Sequence, residues 1–455
     1  MRIVIIGGGK VGSTIAEQLT KEGHDIVVVD SERRVADSIS DSLDVMTICG
    51  SGASVAVLDA AGAAESDLLI ACTPQDELNI MCCMFAKKMG CQNTIARVRS
   101  PEYAEQIYML REDMGLSMTV NPELNAAREI FRLMEIPSVL KRDTFANGKI
   151  EIVELVPKEG DVLDGARLMD LPRKLGMKVL VCAVQRGGDV CIPDGSFTIQ
   201  AGDKVYLCAP ATAIVAILHT MGEVKKRVKN VMLIGGSRIA EYLSPMLVKA
   251  GAKVRLLDSD PAKARRLAEN LPDVSVICAD GTVPGVLKAE NVEGMDSVVA
   301  MTNIDEENLV LSMYISSLGV KQVITKVNHT EFGGMLADRG VDRVVSPKKL
   351  CANTIISYVR AMQNVDGSSV LTLRHLVDGR VDALEFAVTE GTKHIGETLK
   401  EITLKPNILI ACINKKGKIT VPGGGDTLDV GDTVVVVTTS ERVILDLNDI
   451  FAQES

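Results

Sequence analysis

Residues 1–30 read MRIVIIGGGKVGSTIAEQLTKEGHDIVVVD, and this stretch decides the fold. Ile3–Ile6 form a short apolar run that suits a buried parallel strand. The glycine turn GGGKVG follows at residues 7–12, and an amphipathic stretch with helical spacing comes after it. Ile26–Val29 then predict a second strand, with Asp30 at its carboxyl end. Strand, glycine turn, helix, strand and acid stand in the order that the dinucleotide-binding fingerprint requires.

Each glycine of this turn has a predicted task. Gly7 permits the tight turn, Gly9 lets the backbone approach a pyrophosphate, and Gly12 lets the helix pack on the strand. Asp30 can accept hydrogen bonds from a ribose diol and argues against a 2′-phosphate, so NAD or another adenine nucleotide is favoured over NADP. The alternative is a turn that only packs a helix on a sheet. The predicted contacts of the turn are Gly7, Gly8, Gly9, Lys10, Val11 and Gly12.

Composition limits the class of protein. The chain has 455 residues, enough for about three domains, and its net charge of −10 opposes binding to nucleic acid. No apolar segment approaches the about 18–20 residues of a membrane span, and the N-terminus does not resemble a signal peptide, so we expect a soluble, cytoplasmic protein. The 11 Cys and 5 His form neither a CxxC nor an HxxxH pair, which predicts reduced core thiols and no metal site.

Strands and helices continue to alternate up to residue 122, with a strand predicted at residues 44–48 and a helix at residues 103–114. This alternation predicts a doubly wound parallel sheet. Ligands bind outside the carboxyl ends of the strands in such a sheet. Arg97 at one of these ends can neutralise a phosphate, or it can form a surface ion pair. The further residues predicted at these strand ends are Gly50, Ser51, Gly52, Thr73, Pro74, Val98 and Arg99.

From residue 149 the pattern changes to short strands and glycine turns, which predicts a small α+β module of about 80 residues. The chain then starts again, because residues 231–240 read VMLIGGSRIA. The landmarks that repeat at an offset of 228 or 229 residues are Gly7 and Gly235, Asp30 and Asp258, Thr73 and Thr302, Asn79 and Asn308, Pro193 and Pro422, and Gly202 and Gly431. Such an offset indicates a tandem duplication.

The predicted architecture is therefore α/β, with two Rossmann-like doubly wound parallel sheets, each followed by a small α+β module. We name the predicted domains the first N-module (residues 1–122), the first C-module (140–222), the second N-module (229–348) and the second C-module (368–453).

The second glycine turn, GGSRIA, differs from the first. Ser237 adds a Cβ where a pyrophosphate must come close, whereas Ala240 is acceptable because its position needs only a small residue. We expect the second site to bind more weakly or to bind something else. The predicted contacts are Gly235, Gly236, Ser237, Arg238, Ile239, Asp258 and Thr302, and the other strand ends place Asp280, Gly281, Thr282 and Lys326 nearby.

Catalytic groups are not evident in this pattern. A dehydrogenase needs a proton donor or acceptor that faces the nicotinamide, and neither C-module offers a His or Cys in a motif. We therefore predict a protein that is not an enzyme. The alternative is an NAD-dependent oxidoreductase that acts on an unknown small substrate.

The sequence resembles the TrkA family, the cytoplasmic regulatory subunits of Trk-type potassium uptake systems, over essentially its full length. Its modules look like paired RCK domains, which regulate K⁺ conductance. The segments that carry the resemblance are IIGGGKVG (5–12), VVVD (27–30), TPQDELN (73–79) with its second copy TNIDEEN (302–308), IARVRSPEY (95–103), QAGDKVYL (200–207) and DVGDTVVV (429–436).

The resemblance implies a sensor that binds NAD(H) and adenine nucleotides such as ATP or ADP. It implies a homo-oligomer, a dimer or tetramer that forms a ring, peripheral on the inner face of the cell membrane under a K⁺-translocating partner. The implied nucleotide contacts fall on the two glycine turns, Asp30, Thr73, Pro74, Arg97 or Val98, Asp258 and Thr302. The apolar helices at residues 123–135 and 350–362 are expected to exchange between N-modules, as crossover helices do in RCK assemblies, the alternative being packing within one chain.

Overall fold

The computed structural model describes residues 1–111, 113–135, 139–145, 149–221, 228–328, 343–363, 370–377, 380–415, 417–439, 444 and 446–452. The predicted domain limits at residues 222, 368 and 453 lie outside these residues. The chain divides into two compact units, one holding Met1–Met134 and Val228–Ile356 and the other holding Glu135–Arg227 and Ser357–Ser455. The two N-modules therefore share one unit, and the two C-modules share the other.

The first N-module is a six-stranded parallel sheet with helices between its strands. Its elements are β1 (Arg2–Ile6), α1 (Lys10–Lys21), β2 (Asp25–Asp30), α2 (Arg33–Ser42), β3 (Met46–Cys49), α3 (Val55–Ala60), β4 (Leu68–Ala71), α4 (Asp76–Met89), β5 (Asn93–Arg97), α5 (Pro101–Leu110), β6 (Met118–Val120) and α6 (Pro122–Glu135). The strand order is β3-β2-β1-β4-β5-β6. Since the order reverses at β1, the glycine turn lies at the topological switch point, where such sheets bind ligands.

The first C-module is a five-stranded sheet whose adjacent strands pair antiparallel. Its strand order is β10-β9-β11-β8-β7. In chain order its elements are β7 (Val139–Phe145), β8 (Ile150–Leu155), α7 (Leu171–Leu175), β9 (Leu180–Arg186), β10 (Asp189–Cys191), β11 (Lys204–Pro210) and α8 (Ala211–Thr220).

The second N-module repeats the topology of the first. Its elements are β12 (Asn230–Ile234), α9 (Arg238–Lys249), β13 (Lys253–Asp258), α10 (Pro261–Asn270), β14 (Ser275–Cys278), α11 (Pro284–Ala289), β15 (Ser297–Ala300), α12 (Asp305–Ser317), β16 (Val323–Lys326), β17 (Arg343–Val345) and α13 (Pro347–Gln363). The order β14-β13-β12-β15-β16-β17 is again parallel and reverses at the strand before the glycine turn.

The second C-module completes the duplication. Its strands are β18 (Val370–Leu376), β19 (Val381–Ala387), β20 (Ile408–Lys415), β21 (Lys418–Thr420) and β22 (Thr433–Thr439). Their order is β18-β19-β22-β20-β21, which is the order of the first C-module read from the opposite edge. The predicted fold class, two Rossmann-like parallel sheets each followed by a small α+β module, is confirmed.

Helix α6 leaves the first N-module and packs on the second. Ala126, Ala127 and Ile130 are fully buried in one apolar core with Leu233 and Leu243 of the second N-module. The side-chain amide of Gln322 also donates a hydrogen bond of 2.6 Å to the carbonyl oxygen of Leu133 in α6. For α6 the structure therefore shows the alternative, packing within one chain, because the tandem duplication supplies both N-modules. Exchange between separate chains stays a prediction.

The two C-modules also share a core inside their own unit. Cys182 and Cys208 of the first are fully buried in one apolar cluster with Cys412, Val435 and Val437 of the second. The thiols thus act as small apolar groups in a continuous interface between the two sheets.

Candidate functional site

The glycine turn after β1 has the geometry that the sequence predicts. Gly7 has a φ of +98°, which favours glycine. A Cβ on Gly12 would clash with the carbonyl oxygen of Gly7, so this position admits glycine alone unless the turn moves. In contrast, a Cβ on Gly9 meets no atom within 4 Å. Gly9 therefore faces open space, where a ligand can approach the backbone.

Asp30 is fixed at the end of β2 by two backbone amides. Gly8 N donates to Asp30 Oδ2 at 2.7 Å, and Glu32 N donates to Oδ1 at 2.8 Å. These bonds orient the carboxylate beside the glycine turn. Each of its oxygens keeps an acceptor position for a ligand, because an ionised carboxylate offers about four such positions.

A buried amide joins the ends of β4 and β5. Asn79, fully buried, accepts hydrogen bonds from Thr73 N at 2.8 Å and from Thr73 Oγ1 at 2.7 Å. Its Nδ2 donates to the carbonyl oxygen of Arg97 at 2.8 Å. Asn308 makes the corresponding backbone contacts in the second copy. These asparagines fix the two strand ends beside each glycine turn.

A cavity of about 650 Å³ lies at the carboxyl ends of the first N-module's strands. The charged side chains among its described lining residues are four cations and three acids: Lys10, Arg97, Arg99, Lys348, Asp30, Glu32 and Glu123. The predicted residues Gly7, Gly9, Lys10, Val11, Asp30, Thr73, Pro74 and Arg97 line this cavity. The structure thus brings most of the first predicted set together around one opening with a net positive lining.

Three predicted residues of the first copy support the cavity from outside its described lining. Gly8 contributes its amide to Asp30, Gly12 packs against the turn, and Val98 is buried at 3% exposure.

Two arginines at the end of β5 differ in their partners. The Nε atoms of Arg97 and Arg99 are both buried without a hydrogen-bond partner among the described residues, but only Arg99 has ion-pair partners there. Arg99 forms ion pairs with Asp76 at 3.6 Å and Glu123 at 3.8 Å, and its guanidinium donates to the carbonyl oxygen of Pro74. Burial and the nearby Arg97 lower the pKa of Arg99. Arg97 makes no ion pair with a described residue and lines the cavity, so its charge is available to an anionic ligand there.

The second N-module contributes directly to this first cavity. Asn328, Pro347 and Lys348 of that module line it together with Glu123 at the start of α6. The sequence analysis did not single out these residues, because the pattern gives no signal for which module α13 contacts.

The second glycine turn differs from the first at its acid. Asp258 accepts from Gly236 N at 2.7 Å and from Asp260 N at 3.0 Å, as Asp30 does from its own turn. It also pairs with Lys263 Nζ at 2.7 Å. Burial raises the pKa of Asp258, but the hydrogen bonds from Lys263 and the amides outweigh burial and leave that pKa below its ordinary value.

Other predicted side chains of the second copy are buried or already make hydrogen bonds within the protein. Ser237 Oγ is buried without a hydrogen-bond partner among the described residues. Lys326 donates to the carbonyl oxygen of Thr302 at 2.9 Å, and burial lowers its pKa. Asp280 accepts from the amide and the hydroxyl of Thr282.

The second cavity, of about 430 Å³, is acidic. Its described lining carries one lysine and four acids, namely Lys263, Asp258, Asp260, Asp280 and Glu307. Gly235, Ser237, Asp258 and Thr302 line it, whereas Gly236, Arg238, Ile239 and Lys326 are not part of its described lining. Lys263 was missed by the sequence analysis, although aligning the two copies places it opposite Val35. A net negative lining opposes anionic ligands, so the two sites differ in charge as well as in shape.

Further groups near the first cavity bear on its chemistry. Burial raises the pKa of the Cys72 thiol to about 12, so this thiol is protonated at neutral pH. Among the described residues, no group of three or more His, Cys, Asp or Glu side chains is placed to hold a metal ion. Within the same described residues, no helix combines the length and the hydropathy of a membrane span.

Two domain families match four stretches of the chain. The TrkA-N domain matches residues 3–122 and 231–347, and the TrkA-C domain matches residues 152–222 and 383–451. The chain belongs to the TrkA family.

Relatives in the TrkA family match nearly the whole chain. The Trk system potassium uptake protein TrkA homolog of Archaeoglobus fulgidus is 30% identical over 443 residues, which are 97% of this chain and 98% of that protein. TrkA homolog 1 of Methanosarcina mazei is 30% identical over 444 residues, 96% of this chain and 97% of that protein.

Solved structures share the fold of this TrkA-family chain. The GsuK channel bound to NAD has a TM-score of 0.62 and 19% identity, and the match covers 97% of this chain and 77% of that one. The GsuK structure bound to ADP has a TM-score of 0.52 and 16% identity, and the match covers 79% of this chain and 69% of that one.

Proposed function

We propose that the chain is a nucleotide-sensing regulatory subunit of a Trk-type potassium transport system. It binds NAD(H), ATP or ADP and controls K⁺ flux through a membrane partner. The observation that carries the proposal is the first cavity, where an unpartnered guanidinium nitrogen of Arg97 and the carboxylate of Asp30 stand on either side of the open glycine turn. The names of the relatives support the transport role, and the GsuK structures with NAD and ADP support the ligand class.

The residues present fit a nucleotide. The amides at the start of α1 and its helix dipole favour a phosphate group, and Gly9 leaves room for it. Asp30 supplies acceptors for a ribose diol, and Arg97 supplies a charge for a phosphate. The remaining proposed contacts of the first copy are Gly7, Gly8, Lys10, Val11, Gly12, Thr73, Pro74 and Val98.

The two copies contribute unequally in this proposal. The lining of the first cavity has one more cation than acids, whereas that of the second has three more acids than cations. The Lys326 ammonium, the counterpart of Arg97, is already used by the carbonyl oxygen of Thr302. The first copy therefore carries most of the nucleotide response. The weaker proposed contacts of the second copy remain Gly235, Gly236, Ser237, Arg238, Ile239, Asp258 and Thr302.

The ion path lies in another polypeptide in this proposal, because the role is regulatory. The chain acts as a homo-oligomeric ring, a dimer or tetramer, at the inner face of the membrane under its K⁺-translocating partner. A nucleotide regulates such a ring only if it prefers one conformation over another. Helix α6 offers a connection for this preference, since Glu123 lines the first cavity while Ile130 is buried against the second N-module.

An oxidoreductase is the alternative function. The Cys72 thiol, protonated at neutral pH, is a poor nucleophile, which supports a role other than catalysis. Incubation with NADH and panels of small carbonyl substrates separates the two functions. We expect no turnover, and steady consumption of NADH with any substrate would favour the enzyme.

Calorimetry with NAD, NADH, ADP and ATP tests the proposed site. Gly9→Val places a branched side chain where the pyrophosphate is proposed to lie, so we expect binding at the first site to be lost while the fold survives. Asp30→Ala should weaken NAD and ATP alike, by roughly 1–3 kcal/mol for a charged hydrogen bond. Ser237→Val is the matched control in the second turn. Unchanged affinity in Gly9→Val would contradict the site.

A further inference from the structure

The carboxylates of Asp30 and Asp258 occupy equivalent positions but keep different numbers of free acceptor positions. An ionised carboxylate has about four lone-pair positions on its two oxygens. Asp30 uses one on Oδ2 for Gly8 N and one on Oδ1 for Glu32 N. Both oxygens of Asp30 therefore keep one acceptor position free, and the residue lines the first cavity.

Asp258 makes the same two backbone bonds and a third bond to a side chain. Its Oδ1 accepts from Asp260 N at 3.0 Å and its Oδ2 from Gly236 N at 2.7 Å. Lys263 Nζ then donates to the same Oδ2 at 2.7 Å. Both positions of Oδ2 are filled, and only Oδ1 keeps a position for a ligand.

One position on the helix after the acid makes this difference. Val35 in α2 and Lys263 in α10 stand five residues after their acids, and each lines the cavity of its own copy. Valine has no side-chain donor. Asp258 is only 7% exposed, so a ribose hydroxyl that competes with Lys263 must replace a short, shielded, charge-assisted hydrogen bond.

We propose that Lys263 sets the ribose specificity of the second N-module. Asp30 receives both hydroxyls of a ribose diol, whereas Asp258 receives only one. The first site accordingly selects for the complete diol, and the second site accepts nucleotides that lack one of the two hydroxyls. This inference rests on the proposed nucleotide-binding function and adds to it a difference in ligand class between the two halves of the chain.

Val35→Lys introduces the equivalent lysine into the first site and gives the sharpest test. We measure dissociation constants for ADP, 2′-deoxy-ADP and 3′-deoxy-ADP by calorimetry on the full chain with Ser237→Val in the second turn. With Val35 in place, each deoxy analogue should bind about tenfold more weakly than ADP, the value of one hydrogen bond to a charged group. In the Val35→Lys chain only one of the two deoxy analogues should still bind more weakly than ADP. The new lysine also adds a favourable charge for phosphates, which should strengthen the binding of all three nucleotides alike.

Two comparison variants separate the lost acceptor from other effects. Ser38→Lys adds the same charge on the exposed side of α2, and Val35→Met adds length without a donor. Each of these two variants should still bind 2′-deoxy-ADP and 3′-deoxy-ADP more weakly than ADP. The reverse change, Lys263→Val in a Gly9→Val chain, should make the second site reject both analogues as well.

The outcomes distinguish this inference from the proposed function. If ADP binds the first site but Val35→Lys rejects both analogues as strongly as Val35 does, the inference is wrong and the proposed function stands. The inference is also wrong if Val35→Met loses the discrimination to the same extent as Val35→Lys. If the unmodified chain binds neither NAD nor ADP, the proposed function fails and the inference fails with it.

Discussion

The hydroxyl of Tyr242 donates a hydrogen bond of 3.0 Å to the carbonyl oxygen of Arg99 and accepts one of 2.8 Å from Asn121. Tyr242 belongs to α9 of the second N-module, whereas Arg99 and Asn121 belong to the first. Arg99 also lines the first cavity, so this hydroxyl joins the second N-module to one wall of the proposed nucleotide site. Hydrogen bonds from Tyr242 therefore hold the two N-modules of one chain against each other.

Tyr242→Phe removes both hydrogen bonds and leaves the ring in place. We expect a loss of about 1 kcal/mol in stability and weaker nucleotide binding at the first site, because the loop after β5 loses its support. Thermal unfolding and calorimetry measure the two effects. Tyr314→Phe, in α12 of the same module, is the control and should change neither. An equal effect of the two variants would argue against a special role for the Tyr242 hydroxyl.

Ile130→Glu tests the packing of α6 on the second N-module. Ile130 is fully buried in that core, so a carboxylate there should destabilise the chain by roughly 3–5 kcal/mol. Because the contact lies within one chain, the expected result is a loss of protected amides in β12 and α9, measured by hydrogen exchange. Arg128→Glu, on the exposed side of α6, is the control. Smaller particles that keep full protection would instead indicate that Ile130 joins separate chains.

Asn79→Ala should weaken nucleotide binding at the first site without direct contact with the ligand. The change leaves Thr73 N and the carbonyl oxygen of Arg97 without their partner, so the ends of β4 and β5 are no longer held together. We expect about tenfold weaker binding of ADP by calorimetry. Asn308→Ala removes the equivalent group of the second copy and should spare the first site. A first site that is equally affected by both variants would contradict this positioning role.

Lys263→Met should change the acid stability of the second N-module. The folded pKa of Asp258 is lowered, so its ionised form contributes stability that is present above the unfolded pKa of about 3.9 and is lost as pH falls through the folded value. Removing Lys263 raises the folded pKa and reduces this contribution at neutral pH. Unfolding measured between pH 6 and pH 3 should show a smaller acid-induced loss in the variant. An identical pH profile would mean that the ion pair adds no stability.

The sequence predicted the parallel sheets, their duplication and most of the first cavity, because apolar periodicity and glycine spacing depend on local geometry. Boundaries were less accurate. The helix predicted at residues 103–114 is α5, Pro101–Leu110, since proline suits the first turn of a helix. The strand predicted at residues 44–48 is β3, Met46–Cys49.

Contacts between distant segments could not be predicted from local patterns. The apolar stripe of α6 showed that one face is buried but not which module buries it. Whether a charged side chain at a strand end stays available for a ligand also depends on its neighbours in the folded chain. Arg97 keeps a free Nε in the first copy, whereas the equivalent Lys326 is used by a carbonyl oxygen.

The turn positions also differ in a way that spacing does not reveal. A Cβ at Gly12 would meet the carbonyl oxygen of Gly7, although the second copy carries Ala240 at the same position. The two turns therefore differ in backbone detail, and smallness alone does not describe what the first turn requires.

The central claim is that a nucleotide in the first N-module controls K⁺ flux through a membrane partner. It is tested most directly in vesicles that contain a Trk-type K⁺-translocating subunit and this chain, with flux measured with and without ATP, ADP, NAD or NADH. We predict that Gly9→Val still binds the partner but leaves flux insensitive to nucleotide, and that Ser237→Val keeps most of the response. A full response in Gly9→Val together with its loss in Ser237→Val would contradict the account.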